Sequence, residues 1–547
     1  MKNFSMGCQN DQKDNSNILA AGFFCFIGSL IWMRLFTSGL PLTFGDDMEQ
    51  IRTAVEVSWS SLIRHWLFPL SPAWFIPSTD AYLTTRIFET VLIKIDYFFG
   101  GYNAELYHWT KDLAFAGVCA GIYFFAVAIS RRVTSGLVSA LLFITAPFVY
   151  QSACWISDFE LIAQFCFVVS AFLFVRGHER RFSWMGWLAV IVIAWLGFKT
   201  RESSKMFPLI VLSFLIWNQI RPLNQAKTKK WGAWTAAVIS LLLIIPSHPK
   251  MPTVSLAGGD GVLSVWGAIG SNPHVHRLLS NPVLFIVIVV LAVLLAVFLF
   301  KIFWNIFFRY SRCFAPDSSR DNSAAYLRFV SIWFCVMLLA TVSCRTYFKW
   351  RYLTILWIPF TILASSVFGN WNNSTHSVLR RLSKWGCLLA VIFVGGCGIY
   401  YSIYLRNHMS IKDISAFNIA QLVYHDRFEG PEPGQFELMN YYLGRPPAMP
   451  GEFDGVRVNE WDVIYNRDIP RERHQQVIQE RLNDKFDQWG VAYLATVQQR
   501  GFEIKSGATH LGSVSSSNQS LFSRLAQFLG YHYPIYHIYV WRQKPNF

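Results

Sequence analysis

Long apolar segments alternate with short polar loops from residue 18 to about residue 404. Segments of this length are typical of helices that cross a lipid bilayer. The pattern predicts about eleven transmembrane helices, of which the sixth is short enough to be re-entrant. The predicted spans are 18–36, 113–129, 133–150, 159–175, 182–198, 206–217, a seventh ending near 246, 283–303, two that flank 343–352, and 385–404.

The charges in the loops predict how these helices are oriented. Arginine and lysine cluster in every second loop, and cytoplasmic loops are the ones that carry an excess of these residues. This places residues 1–17 in the cytoplasm and the large first loop, 37–111, outside. The basic residues assigned to the inside are Arg131, Arg132, Arg176, Arg180, Arg181, Arg221, Lys227, Lys229, Lys230, Arg309, Arg312, Arg380, Arg381 and Lys384.

Two domains follow from this pattern. Residues 18–406 form an all-α membrane bundle, and residues 407–547 form a C-terminal soluble domain on the extracytoplasmic side. In that domain 491–497 and 538–542 have the pattern of strands, while 474–489 and 521–529 have that of amphipathic helices, which indicates an α/β fold. The sequence therefore predicts a multi-pass protein of the inner, or plasma, membrane.

Composition narrows the function classes. Hydrophobic residues make up 53% of the chain and charged residues only 15%, which is typical of a protein largely embedded in lipid. The net charge of +15 resides largely in short loops, so it reflects topology and gives no reason to expect nucleic acid as a partner. No cysteine follows Cys397, which excludes a disulfide framework in the tail, and no zinc-ligand spacing is present.

An acidic pair, Asp46 and Asp47, stands at the start of the first outer loop. A carboxylate close to hydrocarbon can take a proton from a sugar hydroxyl as a general base, or can help to bind a divalent metal ion. The spacing to Glu49 and Gln50 also fits a capping box, so a purely structural role at a helix start remains open.

Two predicted outer turns are rich in cations, which runs against the charge rule. An anionic lipid headgroup would explain them, and a phosphate leaving group would be stabilised as its negative charge develops. The alternative is that these side chains reach out to ordinary lipid headgroups. The candidate donor-phosphate ligands are Arg201, Lys205, Arg345 and Arg351, with Lys199 and Lys349 beside them.

Further polar residues lie at the same predicted level. Asp158 could hold one of the cations or help to bind a metal ion with Asp46 and Asp47. His274 and His276 in another outer loop are more typical of exposed loop histidines than of metal ligands. A divalent metal ion is therefore an option rather than a requirement, and no other cofactor is expected.

Several short motifs, in this order and on one side of the membrane, resemble the GT-C superfamily of membrane glycosyltransferases. Lys111 and Ile76 depart from that pattern, because relatives often have asparagine and arginine at those positions. The motifs are Asp46-Asp47, Phe99-Gly100-Gly101-Tyr102-Asn103 with Tyr107-His108, Ala146-Pro147, Trp155-Ile156-Ser157, Lys199 to Glu202 with Pro208, and Arg351-Tyr352-Leu353.

The resemblance implies an inverting transfer of a sugar from a polyprenyl-phosphate carrier to an acceptor hydroxyl on an envelope glycolipid, polysaccharide or protein. Asp47 or Asp46 would be the base, Glu202 would orient a neighbouring cation, and Asp158 and His108 would support the site. Two rival functions stay open at this point: a transporter or flippase of a lipid-linked saccharide, and a ligase that uses a polyprenyl-diphosphate oligosaccharide.

Overall fold

The computed structural model describes most of the first half of the chain and selected parts of the second. The described residues are 2–42, 46–67, 87–156, 158–180, 182–220, 231–244, 318–343, 353–370, 395–396, 398–400, 402–403, 406, 418–426, 458–459, 473, 476–477, 480, 491–497, 509–515, 521–530, 533 and 535–542.

Helices dominate the described residues up to 370. They are α1 Lys2–Thr37, α2 Asp46–Glu56, α3 Trp59–Leu67, α4 Ile87–Gly100, α5 Ala104–Ser130, α6 Val133–Ile144, α7 Pro147–Cys154, α8 Glu160–Arg180, α9 Trp184–Phe198, the 3₁₀ helix Glu202–Met206, α10 Phe207–Ile220, α11 Trp231–Ile244, α12 Ser318–Ser343 and α13 Leu353–Asn370.

Four segments within these helices are long and apolar enough to cross a membrane: Ser16–Thr37, Ala104–Ser130, Glu160–Glu179 and Ser323–Ala340. Four shorter apolar helical segments accompany them in the described part of the chain: Val133–Ile144, Trp184–Phe198, Trp231–Leu243 and Thr354–Ser366. The membrane-spanning, mostly helical class predicted from the sequence is therefore confirmed. The number of eleven spans stays a prediction, because regions such as 283–303 lie outside the described residues.

Helix α5 lies at the centre of the bundle and packs against α1, α6, α8, α12 and α13. Two glycines on α5 allow α8 to approach closely: a Cβ added at Gly117 would lie 2.4 Å from Phe165, and one at Gly121 would lie 2.4 Å from Val168. Aromatic side chains fill the neighbouring core, with the ring of Phe167 centred 4.8 Å from that of Trp333. Close backbone approach and aromatic packing together fix the position of α5.

The predicted start of the second span is wrong by more than two helical turns. Helix α5 begins at Ala104, where the Asn103 side chain caps it by accepting a hydrogen bond from the Glu105 N–H, rather than at residue 113. His108 and Lys111 therefore lie inside a helix and not in the outer loop. The helix continues through these polar positions because they are buried against protein and not against lipid.

The predicted third span, 133–150, contains a break. Helix α6 ends at Ile144, and α7 begins at Pro147, which occupies the first turn, where a missing N–H costs nothing. The α7–α8 loop, of which residues 155–156 and 158–159 are described, then leads into α8 at Glu160. Because of this break, the backbone of the α7–α8 loop lies against the N-terminal part of α5.

The described residues after 406 include a four-stranded sheet with strand order β1-β2-β4-β3. Strand β1 pairs parallel to β2, and the other two pairs are antiparallel. A helical segment at 418–426 packs on one face of the sheet. The strands are β1 Val458–Asn459, β2 Val491–Val497, β3 Thr509–Ser515 and β4 Ile535–Arg542, and α14 is Leu521–Phe528.

Two predicted strands and one predicted helix of the tail are thus confirmed within a few residues. Most of the predicted helix 474–489 lies outside the described residues. That these elements form an extracytoplasmic α/β domain stays a prediction.

Candidate functional site

A buried lysine holds the α7–α8 loop from the side of α5. The Lys111 ammonium donates hydrogen bonds to the backbone carbonyls of Ser152, at 3.2 Å, and Asp158, at 2.6 Å, and also to that of Trp155. It lies 5.3 Å from the centre of the Phe159 ring. Carbonyl oxygens at the end of a helix carry partial negative charge, so a cation here stabilises the loop.

Asp47, in the first turn of α2, reaches the same loop. Its side chain is buried, and its Oδ2 accepts a hydrogen bond of 3.3 Å from the Ile156 N–H. The carboxylate thus contacts the backbone of a residue 109 positions away in sequence. It also lies at the N-terminus of α2, where the helix dipole favours negative charge. A role limited to capping α2 does not account for this contact. Asp46 begins α2, and its side chain lies outside the described residues.

Arg201 approaches the loop from the turn after α9. One terminal nitrogen of its guanidinium lies 3.5 Å from Oδ1 of Asp158, and its Nε lies 3.7 Å from Oε2 of Glu89. The guanidinium is therefore oriented by two buried carboxylates on two different elements. Asp47 binds the loop at residue 156 and Arg201 binds it at residue 158, so the loop joins the candidate base to the candidate phosphate ligand.

Asp158 organises the loop and the start of α8. Its Oδ2 accepts a hydrogen bond of 3.1 Å from the Ser152 hydroxyl, and its Oδ1 accepts one of 3.3 Å from the Glu160 N–H. The second of these is the pattern of a helix N-cap. Asp158 is thus held in place and, in turn, holds Arg201.

We call Asp47, Glu89, Lys111, Asp158 and Arg201 the loop cluster. Lys111 is within electrostatic range of the other four members. All five side chains are buried, which strengthens the interactions among them compared with water. The cluster combines a carboxylate suited to accept a proton with cations suited to stabilise an anion.

Glu89 was not among the predicted site residues. It lies in α4, and its position is secured by a hydrogen bond of 3.1 Å from the Phe88 N–H to the carbonyl of Lys199. The only sign of it in the sequence is a carboxylate within an apolar stretch, which a loop assignment for 37–111 obscured. In the sequence, Lys111 stands out only as a departure from the family pattern, which does not predict its contacts with the loop.

Lys199 and Lys205 flank Arg201 in the same turn region. Lys199 is buried, and burial followed by repulsion from Lys205 lowers its pKa to about 8. Its ammonium is therefore close to losing its proton under mildly basic conditions. Glu202 begins the 3₁₀ helix, and its side chain lies outside the described residues.

His108 is fully buried, one turn before Lys111 on α5. Its neighbours are the backbone of Leu40 and the cationic side chains of Lys111, Arg34 and Arg406. The structure therefore places its ring towards the end of α1. It adjoins the loop cluster through Lys111.

The remaining predicted residues are not placed by the structure. Arg345, Lys349 and Arg351 lie outside the described residues, as do His274 and His276. Among the residues that are described, no group of three His, Cys, Asp or Glu side chains is arranged to hold a metal ion. Of the predicted metal ligands, Asp47 and Asp158 are described, and each accepts hydrogen bonds from the protein.

Comparison with known proteins gives one family match. Residues 110–248 match the model of the dolichyl-phosphate-mannose-protein mannosyltransferase family. No curated protein matches the chain in a sequence search. The matched quarter of the chain contains Lys111, Asp158 and Arg201.

Solved structures of two proteins are similar to the chain. ArnT from Cupriavidus metallidurans bound to undecaprenyl phosphate has a TM-score of 0.44 at 12% identity, covering 94% of this chain and 97% of ArnT. The apo state of the same protein gives the same score and identity, covering 95% and 97%.

The archaeal oligosaccharyltransferase AglB from Archaeoglobus fulgidus, in complex with an inhibitory peptide and a dolichol-phosphate, has a TM-score of 0.38 at 11% identity, covering 86% of this chain and 69% of AglB. The resemblance to the GT-C superfamily that the sequence motifs predicted is confirmed over the segment that the family model matches.

Proposed function

We propose that the protein is an inverting glycosyltransferase that moves a sugar from a polyprenyl-phosphate donor to an acceptor hydroxyl at the outer face of the inner membrane. The acceptor would be an envelope glycolipid, a polysaccharide or a protein. The family matched by residues 110–248 is named for a polyprenyl-phosphate sugar, which supports this class of donor.

One observation carries the proposal. Asp47 and Arg201 bind the same short loop two residues apart, at the Ile156 N–H and at the Asp158 carboxylate. The base acts on the acceptor hydroxyl and the phosphate ligand acts on the leaving group, on opposite sides of one anomeric carbon, so both must lie around the same bound sugar. A transporter makes no new glycosidic bond and so needs no base for an acceptor hydroxyl.

In the proposed reaction the acceptor oxygen attacks the anomeric carbon as Asp47 takes the hydroxyl proton. The bond between that carbon and the phosphate oxygen breaks, and the phosphate leaves with the bonding electrons. Attack from the face opposite the phosphate inverts the configuration of the sugar. Asp46 is the second candidate for the base.

Arg201 would stabilise the charge that develops on the leaving phosphate, with Lys199 and Lys205 nearby. Glu89 and Asp158 would keep its guanidinium oriented while the donor binds. Further phosphate contacts are assigned to Arg345, Lys349 and Arg351, outside the described residues. These cations suffice for a single phosphate, so the mechanism requires no metal ion, and Asp47 and Asp158 would be the described ligands if one binds.

The test compares envelope glycolipids and glycoproteins by mass spectrometry in wild-type, deletion and complemented strains. A sugar lost on deletion identifies the product. Complementation with Asp47→Asn should leave that sugar missing while the protein inserts at the normal level, because general-base catalysis contributes about 10²–10⁴-fold to the rate.

The matched control is Asp96→Asn. Asp96 is another buried aspartate, on α4, which accepts hydrogen bonds of 2.8 and 3.0 Å from the Thr110 hydroxyl and is outside the loop cluster. Complementation with Asp96→Asn should restore the sugar. Full activity in a variant carrying both Asp46→Asn and Asp47→Asn would refute the assigned base.

A further inference from the structure

Helix α14, in the C-terminal part of the chain, carries an apolar stripe that the protein leaves uncovered. Leu521, Leu525 and Phe528 follow each other at helical spacing, with exposed fractions of 52%, 39% and 86%. The opposite side of the helix is buried through Ser523 and Ala526. A single helix with three large apolar side chains in water is unusual in a soluble domain.

A chain of contacts fixes the level of α14 along the bundle. The Arg406 guanidinium donates hydrogen bonds to the carbonyls of Phe36, at 2.6 Å, and Ser38, at 2.9 Å. Arg406 interacts with Tyr533, whose side chain is hydrogen-bonded to Ser523 on α14. The candidate span of α1 ends at residue 37, so α14 lies level with the end of a membrane-crossing helix.

Two further observations place α14 against the bundle. Its Ala526 belongs to the same buried apolar cluster as Met33 and Phe36 of α1, and the two helices are in contact. On α1, Ile31 and Leu35 are exposed by 56% and 41%, as expected for a helix that faces lipid. Helix α14 therefore lies beside a helix whose exposed side has the apolar side chains expected to face lipid.

The polar side chains of α14 complete the pattern. Arg524 and Gln527 are exposed and lie to one side of the apolar stripe. A helix with one apolar face, one cationic and polar face and a position at the end of a span has the properties of a helix that lies in the membrane interface.

We propose that α14 lies in the headgroup layer of the bilayer and anchors the C-terminal part of the chain to the membrane surface beside the end of α1. Leu521, Leu525 and Phe528 insert among the acyl chains close to the headgroups. Arg524 lies at the level of the lipid phosphates. The partner of this surface is phospholipid and not a second protein.

Photocrosslinking of the full-length protein tests this arrangement. The photoreactive residue p-benzoylphenylalanine replaces Phe528 or Leu525, and the protein is placed in vesicles of phosphatidylethanolamine and phosphatidylglycerol. After irradiation, peptides are examined by mass spectrometry for covalently attached phospholipid. We expect lipid adducts at both positions.

Two positions of the same protein calibrate the yield. Phe23, exposed by 61% within the candidate span of α1, gives the yield of a lipid-facing site, and Gln527 gives that of the polar side of α14. The yields at 525 and 528 should be close to that at 23 and several-fold above that at 527. Yields at 525 and 528 no higher than at 527, or a covalent dimer in place of lipid adducts, would overturn the proposal.

Discussion

Two adjacent residues of α5 belong to two different polar clusters. Lys111 belongs to the loop cluster, whereas Asp112 accepts hydrogen bonds from the Thr37 hydroxyl, at 2.9 Å, and from Arg34, at 3.2 Å. Arg34 also pairs with Glu105 on α5. We call Arg34, Thr37, Glu105 and Asp112 the brace cluster, because it ties the end of α1 to the start of α5.

The two clusters use similar residues in different arrangements. In the brace cluster, the partners come from two helices that pack directly, and Arg34 additionally lies 5.0 Å from the Trp109 ring. In the loop cluster, the five residues come from five separate parts of the chain. Asp47 and Lys111 bind the backbone of the α7–α8 loop, and Arg201 joins the side chain of Asp158 in that loop to Glu89. The brace cluster has the contacts needed to hold two helices together. The loop cluster also brings a candidate base, Asp47, and a cation, Arg201, to the same loop.

Replacing Lys111 by methionine should distinguish the roles of the two clusters most clearly. Three buried carbonyls would lose their donor, at a cost of roughly 1–3 kcal/mol for each acceptor left without a partner. Because the loop positions both Asp47 and Arg201, sugar transfer per folded molecule should also fall, about as far as in Asp47→Asn. Thermal unfolding in detergent and a transfer assay on the same sample measure both effects.

If Lys111→Met lowered stability but left transfer per folded molecule unchanged, the loop would not position the site. A matched change in the other cluster, Arg34→Met, removes a cation that contacts Asp112 and Glu105. Arg34→Met should lower the stability of the protein and leave sugar transfer per folded molecule unchanged.

Arg201→Lys tests the geometry of the phosphate ligand. Lysine keeps the charge but cannot reach Glu89 and Asp158 with two nitrogens of one planar group. We expect kcat/KM for the donor to fall by roughly 10–100-fold, as hydrogen bonds to charged groups contribute about 1.5–3 kcal/mol. Steady-state kinetics with a polyprenyl-phosphate sugar provide the measurement, and an unchanged kcat/KM would remove Arg201 from the site.

Asp112→Asn should have a smaller and purely structural effect. Asparagine keeps an oxygen for the Thr37 hydroxyl and loses the charge that faces Arg34, so stability should fall by about 1–3 kcal/mol. Transfer per folded molecule should match the wild type. A large loss of transfer without a loss of stability would show that the brace cluster takes part in the reaction.

The pH dependence of donor binding should give the smallest effect. The pKa of Lys199 is lowered to about 8, so its ammonium is charged below that pH and increasingly neutral above it. If it contacts the donor phosphate, KM for the donor should rise as the pH passes upward through 8. The variant Lys199→Arg keeps its charge and should flatten this rise, whereas an identical profile in both proteins would assign the pH dependence to another group.

As the pH rises, the contribution of Lys199 to the stability of the protein should increase, whereas its contribution to donor binding should decrease. Because its pKa is lower in the folded chain than in the unfolded chain, the unfolded state binds more protons between pH 8 and its ordinary value of 10.5. The contribution of Lys199 to the free energy of unfolding therefore increases as the pH rises through that window. Thermal unfolding of wild type and Lys199→Arg across this range separates the two effects.

Much of the local structure was predictable from the chain itself. The strand Val491–Val497 has the predicted bounds, and α9 ends at Phe198, as the cationic turn indicates. The start of α2 at Asp46 fits the acidic pair that follows Gly45. These features depend on neighbours in sequence, namely hydrophobic period, charge and helix-capping residues.

The start of α5 was not predictable in the same way. A hydropathy pattern ends a span where His108, Lys111 and Asp112 appear, because an isolated helix in lipid cannot carry them. In the folded protein each of these residues is buried against other parts of the chain, so the helix extends to Ala104.

The sequence by itself determined that this is a helical membrane protein, and it identified Asp47, Asp158 and Arg201 as residues that needed an explanation. Only the tertiary structure brought Glu89 to Arg201 and Lys111 to the carbonyls of the α7–α8 loop. The physical reason is that apolar periodicity is a local property of the chain. A buried charge is stable only when its partners meet it, and those partners come from segments far apart in the sequence.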